Sequence, residues 1–206
     1  MNTAILCFGD SNTWGYDPKD GSRYSRELRW TGMLQMLLGP KFTVIEEGLN
    51  GRTTTVNEIE RPIRSGLEIL PVFIESHRPL DWVILMLGTN DLKTHFDRSA
   101  EQIATDLDAL CGLIGGHEML QERPPKLILA APTGPNVSCQ ELPEWFKNTD
   151  HKLQSVLQLL PEIARKRKAV YVQTPDLFDA DFADGLHWSN AQHAKFAREI
   201  MAVVLG

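Results

Sequence analysis

Apolar residues in this chain gather in short unbroken runs, separated by longer stretches with helical spacing. Residues 4–8 form the first run and residues 82–86, Trp-Val-Ile-Leu-Met, another. Both end in turn chemistry, Gly9-Asp10-Ser11 and Gly88-Thr89-Asn90-Asp91. An unbroken apolar run bounded by a turn predicts a strand covered on both faces, as in a parallel sheet. Residues 42–45, 126–130 and 169–173 predict three more strands. Helical segments lie between them. Residues 30–38 form a short helix, and residues 62–76 a mixed helical segment interrupted by Pro71. The capping-box pattern Ser99-Ala-Glu-Gln102 opens a helix to about residue 114. A further helix spans 148–167, with Pro161 as a break or kink. Ser189-Asn-Ala-Gln192 caps the last helix, where Ala197, Ile200, Met201 and Val204 recur at helical spacing. Strands alternating with helices predict one three-layer α/β/α sandwich domain over residues 1–206, with a five-stranded parallel sheet.

Ligand sites in open α/β sheets lie beyond the carboxyl ends of the strands. Three strand exits there carry distinctive residues: Ser11, Gly51 in Gly48-Leu-Asn-Gly-Arg-Thr53, and Asn90. The loop before the last helix adds Asp184-Gly-Leu-His187. Each has a bland reading alone. Serine caps helices and forms turns. An Asn-Asp pair is a common turn, a lone glycine a flexible one, and an isolated Asp and His a surface pair. Together these residues cover every role in acyl transfer. Ser11 is a candidate nucleophile, His187 its base, and Asp184 the carboxylate that orients the base. The Asn90 amide and the backbone N–H groups of Ser11 and Gly51 are candidate oxyanion donors. A glycine at 51 lets a substrate oxygen approach the backbone closely.

Gly9-Asp10-Ser11, Gly51, Gly88-Thr-Asn90-Asp91 and Asp184-x-x-His187 resemble the four sequence blocks of the SGNH (GDSL-type) hydrolase superfamily, in the family order. Cys7-Phe-Gly-Asp-Ser-Asn-Thr-Trp-Gly15, Arg29-Trp-Thr-Gly32, Val44-Ile-Glu-Glu-Gly-Leu-Asn-Gly-Arg-Thr-Thr54 and Met86-Leu-Gly-Thr-Asn-Asp91 are more closely similar to its bacterial arylesterase and acyltransferase branch. The resemblance implies a flavodoxin-like SGNH fold and an esterase on short acyl or aryl esters. It also implies transfer to alcohols or peroxide, and assembly into a homo-oligomer. Some branch members carry a small non-glycine residue where Gly51 stands. The chain lacks G-x-S-x-G around Ser11, since Thr13 follows where a second glycine would be. That argues against an α/β-hydrolase nucleophile elbow.

Composition narrows the alternatives. A net charge of −6 gives no electrostatic case for nucleic acid. No apolar run approaches the ~20 residues that span a bilayer, and the chain enters a strand at once after Met-Asn-Thr. The expected setting is therefore cytoplasmic, with no membrane partner. Three cysteines do not make a disulfide framework. Arg165, Lys166, Arg167 and Lys168 read as a solvated helix end. His77, His95, His117 and His151 have no metal-ligand spacing, so no metal or cofactor is expected. His193 is a rival base with no acid at the matching offset. Two long loops, residues 16–29 and 132–147, are expected to shape specificity. Trp14 and His95 are candidate pocket residues, and Trp145 and Phe146 candidates for a pocket wall or a subunit contact. Two alternatives stand beside the esterase. One is a carbohydrate O-deacetylase with the same catalytic residues. The other is a non-catalytic flavodoxin-like binder whose Gly51-Arg-Thr-Thr-Thr55 segment cradles phosphate or a nucleotide.

Overall fold

The two-sided apolar runs form the five strands of one parallel sheet in the computed structural model, which describes residues 2–116, 123–177 and 184–206. His117 lies outside the described residues. The strands are β1 (Thr3–Gly9), β2 (Phe42–Gly48), β3 (Trp82–Met86), β4 (Lys126–Ala130) and β5 (Val170–Val172). Their order is β2-β1-β3-β4-β5, with every pairing parallel. Gly9 lies opposite Gly48 on one side and Met86 on the other. The three strands therefore end level, and their exits share one edge.

Alternation within each run explains why the strands look wholly apolar. Leu6 and Phe8 of β1, Val83 and Leu85 of β3, and Leu127 and Leu129 of β4 point to one face. There they meet α3 (Gly66–His77), α4 (Ala100–Gly116) and α5 (Asp150–Arg167). Ile5, Cys7, Ile84 and Ile128 point to the other face. They pack on α2 (Trp30–Leu38) and α6 (Asn190–Leu205), through Trp30, Leu34, Phe196 and Ile200. The result is a three-layer α/β/α sandwich.

Departures from the sequence expectations have identifiable causes. β2 runs to Gly48, past the predicted end at 45. Its two acids are satisfied by distant partners: Glu46 accepts from Arg29 and Thr31, and Glu47 faces His77 at 3.0 Å. The segment with Pro71 is an unbroken helix that starts at Gly66, where the Ser65 hydroxyl accepts from the Glu68 N–H. Pro161 likewise lies within a continuous α5. Each proline removes one helical N–H, but Leu70 and Ile74, and Leu153, Val156 and Leu160, bury enough surface to hold the helices. Both predicted capping boxes form, at Ser99 with Gln102 and at Ser189 with Gln192.

His193 is fully buried on α6 and accepts the Trp30 N–H at its Nδ1. Burial pushes its pKa down to about 3, and the positive charges of His187 and Arg29 push in the same direction. It is therefore a neutral core histidine, not a rival base. A histidine depressed on folding stabilises the fold fully above its unfolded pKa of ~6.5, and that contribution is lost as pH falls toward 3. His193→Asn keeps an acceptor for Trp30 but removes the titration. The wild-type lead in unfolding free energy over this variant is expected to shrink by about 3 kcal/mol between pH 7 and pH 4. Urea melts at the two pH values measure this. A constant gap would mean that His193 protonates freely in the folded protein. Asp10 and Asp91, raised to about 6 mainly by burial, act in the opposite direction but equally in both proteins.

Candidate active site

At the exit of β1 the chain turns at once into a one-turn helix, α1 (Ser11–Trp14). The Asp10 side chain caps it by accepting the Asn12 N–H at 3.0 Å. Gly9 is required by packing, because a Cβ there would fall 2.1 Å from Thr13 Oγ1. Ser11 is thus held at the helix start, 7% exposed, facing the sheet edge. Its Oγ lies 3.0 Å from His187 Nε2. His187 Nδ1 lies 2.6 Å from Asp184 Oδ2. The other Asp184 oxygen accepts the Leu186 and His187 N–H groups at 2.9 and 2.8 Å. Burial alone would raise the Asp184 pKa, but the His187 ring and these hydrogen bonds hold it below the ordinary carboxylate value. At neutral pH Asp184 is therefore an anion, able to fix Nδ1 as the protonated nitrogen and leave Nε2 free to accept from Ser11.

The three expected oxyanion donors lie at the exits of β1, β2 and β3, on this edge. The Ser11 N–H is the first of the short helix and needs no intrahelical acceptor. Gly51 takes φ +78°, the left-handed conformation that glycine adopts without strain. Asn90 opens a 3-10 turn after β3 and is 5% exposed. One hydrogen of its amide goes to the Arg52 carbonyl at 3.0 Å, which leaves the other free. Asn90→Ala removes a donor and also leaves that buried carbonyl unpaired. We expect turnover to fall about 10²–10³-fold, with a smaller change in KM, and stability to drop by about 1–3 kcal/mol. Steady-state kinetics and a thermal melt of the same preparation check both halves.

Several residues that the sequence reading did not assign to the site support it. The Asn12 side chain accepts the Trp188 N–H at 3.1 Å, which ties the Ser11 turn to the His187 loop. The Trp188 indole donates to Thr133 Oγ1, and the Thr133 carbonyl accepts from Thr89. The Tyr16 ring packs against His187 with centroids 4.1 Å apart, tilted by 31°. Arg52 is buried over Phe8 and donates to the Gly9 and Glu47 carbonyls, joining the ends of β1 and β2. Asp91 accepts from both the N–H and the hydroxyl of Thr54, fixing the Asn90 turn against the Gly51 loop. Asn12, Arg52 and Asp91 adjoin the assigned residues in sequence, and Tyr16 begins the loop expected to shape specificity. Asn12, Arg52 and Asp91 also fall inside the sequence blocks that carry the family resemblance.

The pocket expectations divide. His95 and Trp145 line a cavity of about 690 Å³ beside the Gly51 loop, with Asn57, Glu58, Arg61 and Lys93. Trp145 is 47% exposed. Phe146, in contrast, is 1% exposed within the core of the α3–α5 face. The short 3-10 turn Glu144–Phe146 turns the two aromatic neighbours to opposite sides, so Phe146 is neither pocket wall nor subunit contact. Trp14 is not among the residues around that cavity, whose lining also omits Ser11 and His187; it packs under the Arg23 guanidinium, 5.2 Å from its ring. The phosphate cradle expected in the alternative reading is also absent from the Gly51–Thr55 segment. Its Thr54 and Thr55 hydroxyls face Asp91 and Asp106, and the Thr53 hydroxyl faces the Val56 carbonyl. Carboxylates in those positions repel phosphate. Among the described residues, no group of three or more His, Cys, Asp or Glu side chains is placed to hold a metal ion. No described helix is long and apolar enough to cross a membrane.

The profile of the GDSL-like Lipase/Acylhydrolase family matches residues 7–195. Among solved structures, the chain is similar to the Mycobacterium smegmatis aryl esterase, with 31% identity, TM-score 0.88 and 98% of each chain covered. It is also similar to Est24, a carbohydrate acetylesterase from Sinorhizobium meliloti, with 33% identity, TM-score 0.90 and 99% of each chain covered. A third similar structure, described as a putative arylesterase from Agrobacterium tumefaciens, shows 32% identity, TM-score 0.86 and 98% coverage of each chain. No curated protein matches the sequence at a significant level.

Proposed function

Because this chain belongs to the GDSL-like lipase/acylhydrolase family and is a carboxylic ester hydrolase, we propose that it cleaves short-chain acyl and aryl esters through an acyl-enzyme on Ser11. His187 Nε2 takes the Ser11 proton as Oγ attacks the ester carbonyl. Asp184 holds the imidazole in the useful tautomer and stabilises its cationic form. The Ser11 and Gly51 N–H groups and the free hydrogen of the Asn90 amide receive the oxyanion. His187 returns the proton to the leaving alcohol. Water, activated by the same imidazole, then releases the acid and regenerates Ser11. The observation that carries this reading is the unbroken chain Ser11 Oγ to His187 Nε2 at 3.0 Å and His187 Nδ1 to Asp184 at 2.6 Å.

Hydrolysis of aryl acetates, butyrates and octanoates tests it, with fluorophosphonate labelling of Ser11 as a second readout. Acetates are expected to turn over fastest and the label to map to Ser11. The absence of both hydrolysis and labelling would overturn the reading. Carbohydrate O-deacetylation is a second reading, favoured by the similarity to Est24 and by the polar lining around Trp145. Acetylated sugars in the same panel separate the two. Acyl transfer to small alcohols also belongs to the proposal. It is measured as benzyl acetate formed from vinyl acetate and benzyl alcohol in buffer, above the acceptor-to-water ratio. Homo-oligomerisation is proposed on exposed apolar side chains outside the cavity lining, among them Met36, Leu37 and Val72. A cytoplasmic setting is proposed on the three free cysteines.

A further inference from the structure

One side of the Gly51 loop carries a charge that the hydrolytic mechanism does not use. A Cβ added at Gly51 would fall 2.9 Å from Arg61 Nη1, so the Arg61 guanidinium occupies the space that a side chain at 51 would fill. Its Nη2 donates to the Asn50 carbonyl at 2.9 Å. Among the described residues, no carboxylate lies within salt-bridge distance of Arg61. Its neighbours in the cavity differ. Lys93 Nζ is paired with Glu58 at 2.5 Å, and His95 Nε2 stands 3.8 Å from the same carboxylate. Glu58 is thus held at close range by Lys93 and feels the Arg61 charge only from beyond salt-bridge distance, while the guanidinium beside the oxyanion glycine lines the cavity with N–H groups that the Asn50 carbonyl does not use.

Resting on the esterase reading above, we propose that Arg61 is a specificity residue that selects esters whose alcohol part carries a carboxylate. A planar guanidinium presents paired donors that match a carboxylate. The cavity of about 690 Å³ reaches the Gly51 loop through Arg61 and has the volume of a small-molecule site, assigned here to the alcohol part of the ester. Trp145 offers an apolar face in the same cavity. The substrate class is therefore an O-acylated hydroxy acid. Glu60 also lines the cavity and opposes the selection with its own charge.

The probes are 4-acetoxybenzoate and its neutral isostere 4-acetoxybenzamide. The wild-type enzyme is expected to favour the anion about tenfold in kcat/KM, with the difference in KM, and to lose part of that preference as salt screens the charge. Arg61→Gln should lower kcat/KM for the anionic ester about tenfold more than for the neutral one. Glu60→Gln should widen the wild-type preference. If Arg61→Gln depressed both esters equally, Arg61 would serve only to hold the Gly51 loop through Asn50, and the inference would fall. Equal wild-type rates on the two esters would also overturn it while leaving the esterase reading intact. Turnover of neither ester would remove both.

Discussion

Ser11→Ala is expected to lower turnover on 4-nitrophenyl acetate by about 10⁵-fold or more, in line with losses seen when a triad nucleophile is removed. The side chain makes one hydrogen bond, to His187, and sits at the start of a helix capped by Asp10. Alanine leaves that cap, the Asn12 bond to Trp188 and the Gly9 packing in place. The thermal midpoint should therefore stay close to that of the wild type, and the acetyl adduct expected in the wild type by intact-mass analysis should be missing from the variant. A variant with native circular dichroism and more than a hundredth of wild-type turnover would show that another group carries the acyl transfer.

The second large effect is expected at Asp184. Replacement by asparagine keeps the shape and an oxygen for the Leu186 and His187 N–H groups. The amide nitrogen then faces His187 Nδ1, where the carboxylate stood. A donor there favours the tautomer protonated at Nε2, which cannot take the proton from Ser11. Turnover is expected to fall by about 10⁴-fold. Nitrogen NMR of the His187 ring provides the independent readout, since a merely structural change would leave the proton on Nδ1. Full turnover in Asp184→Asn would mean that the tautomer is set elsewhere.

What was legible locally follows from two periodicities. A strand buried on both faces must be apolar at every position, and this marks residues 4–8 and 82–86 without reference to the rest of the chain. Caps are equally local: Ser99 with Gln102 and Ser189 with Gln192 bond within one turn. β2 was read short because Glu46 and Glu47 look unsuited to a strand until Arg29 and His77 are placed beside them. Pro71 and Pro161 look like breaks because the packing that holds α3 and α5 across them is not local.

The candidate site divides along the same line. Sequence by itself marked which residues are candidates for acyl-transfer chemistry, because Ser11, Gly51, Asn90 and the pair Asp184 and His187 each belong to a short block with its own turn signature. It also determined that the Ser11, Gly51 and Asn90 blocks follow apolar strands and so open on one edge of a parallel sheet, while Asp184 and His187 lie in the loop before the last helix. Tertiary structure alone decided how 176 positions of separation between Ser11 and His187 close to 3.0 Å. It alone turned Trp145 to the cavity and Phe146 to the core, and it alone made His193 a neutral core residue. Tertiary structure also brought Arg61 beside Gly51, with no carboxylate within salt-bridge distance among the described residues. The reason is physical. A side chain's chemistry is a property of its residue type, but its exposure, its charge state and its partners depend on groups that only folding brings near.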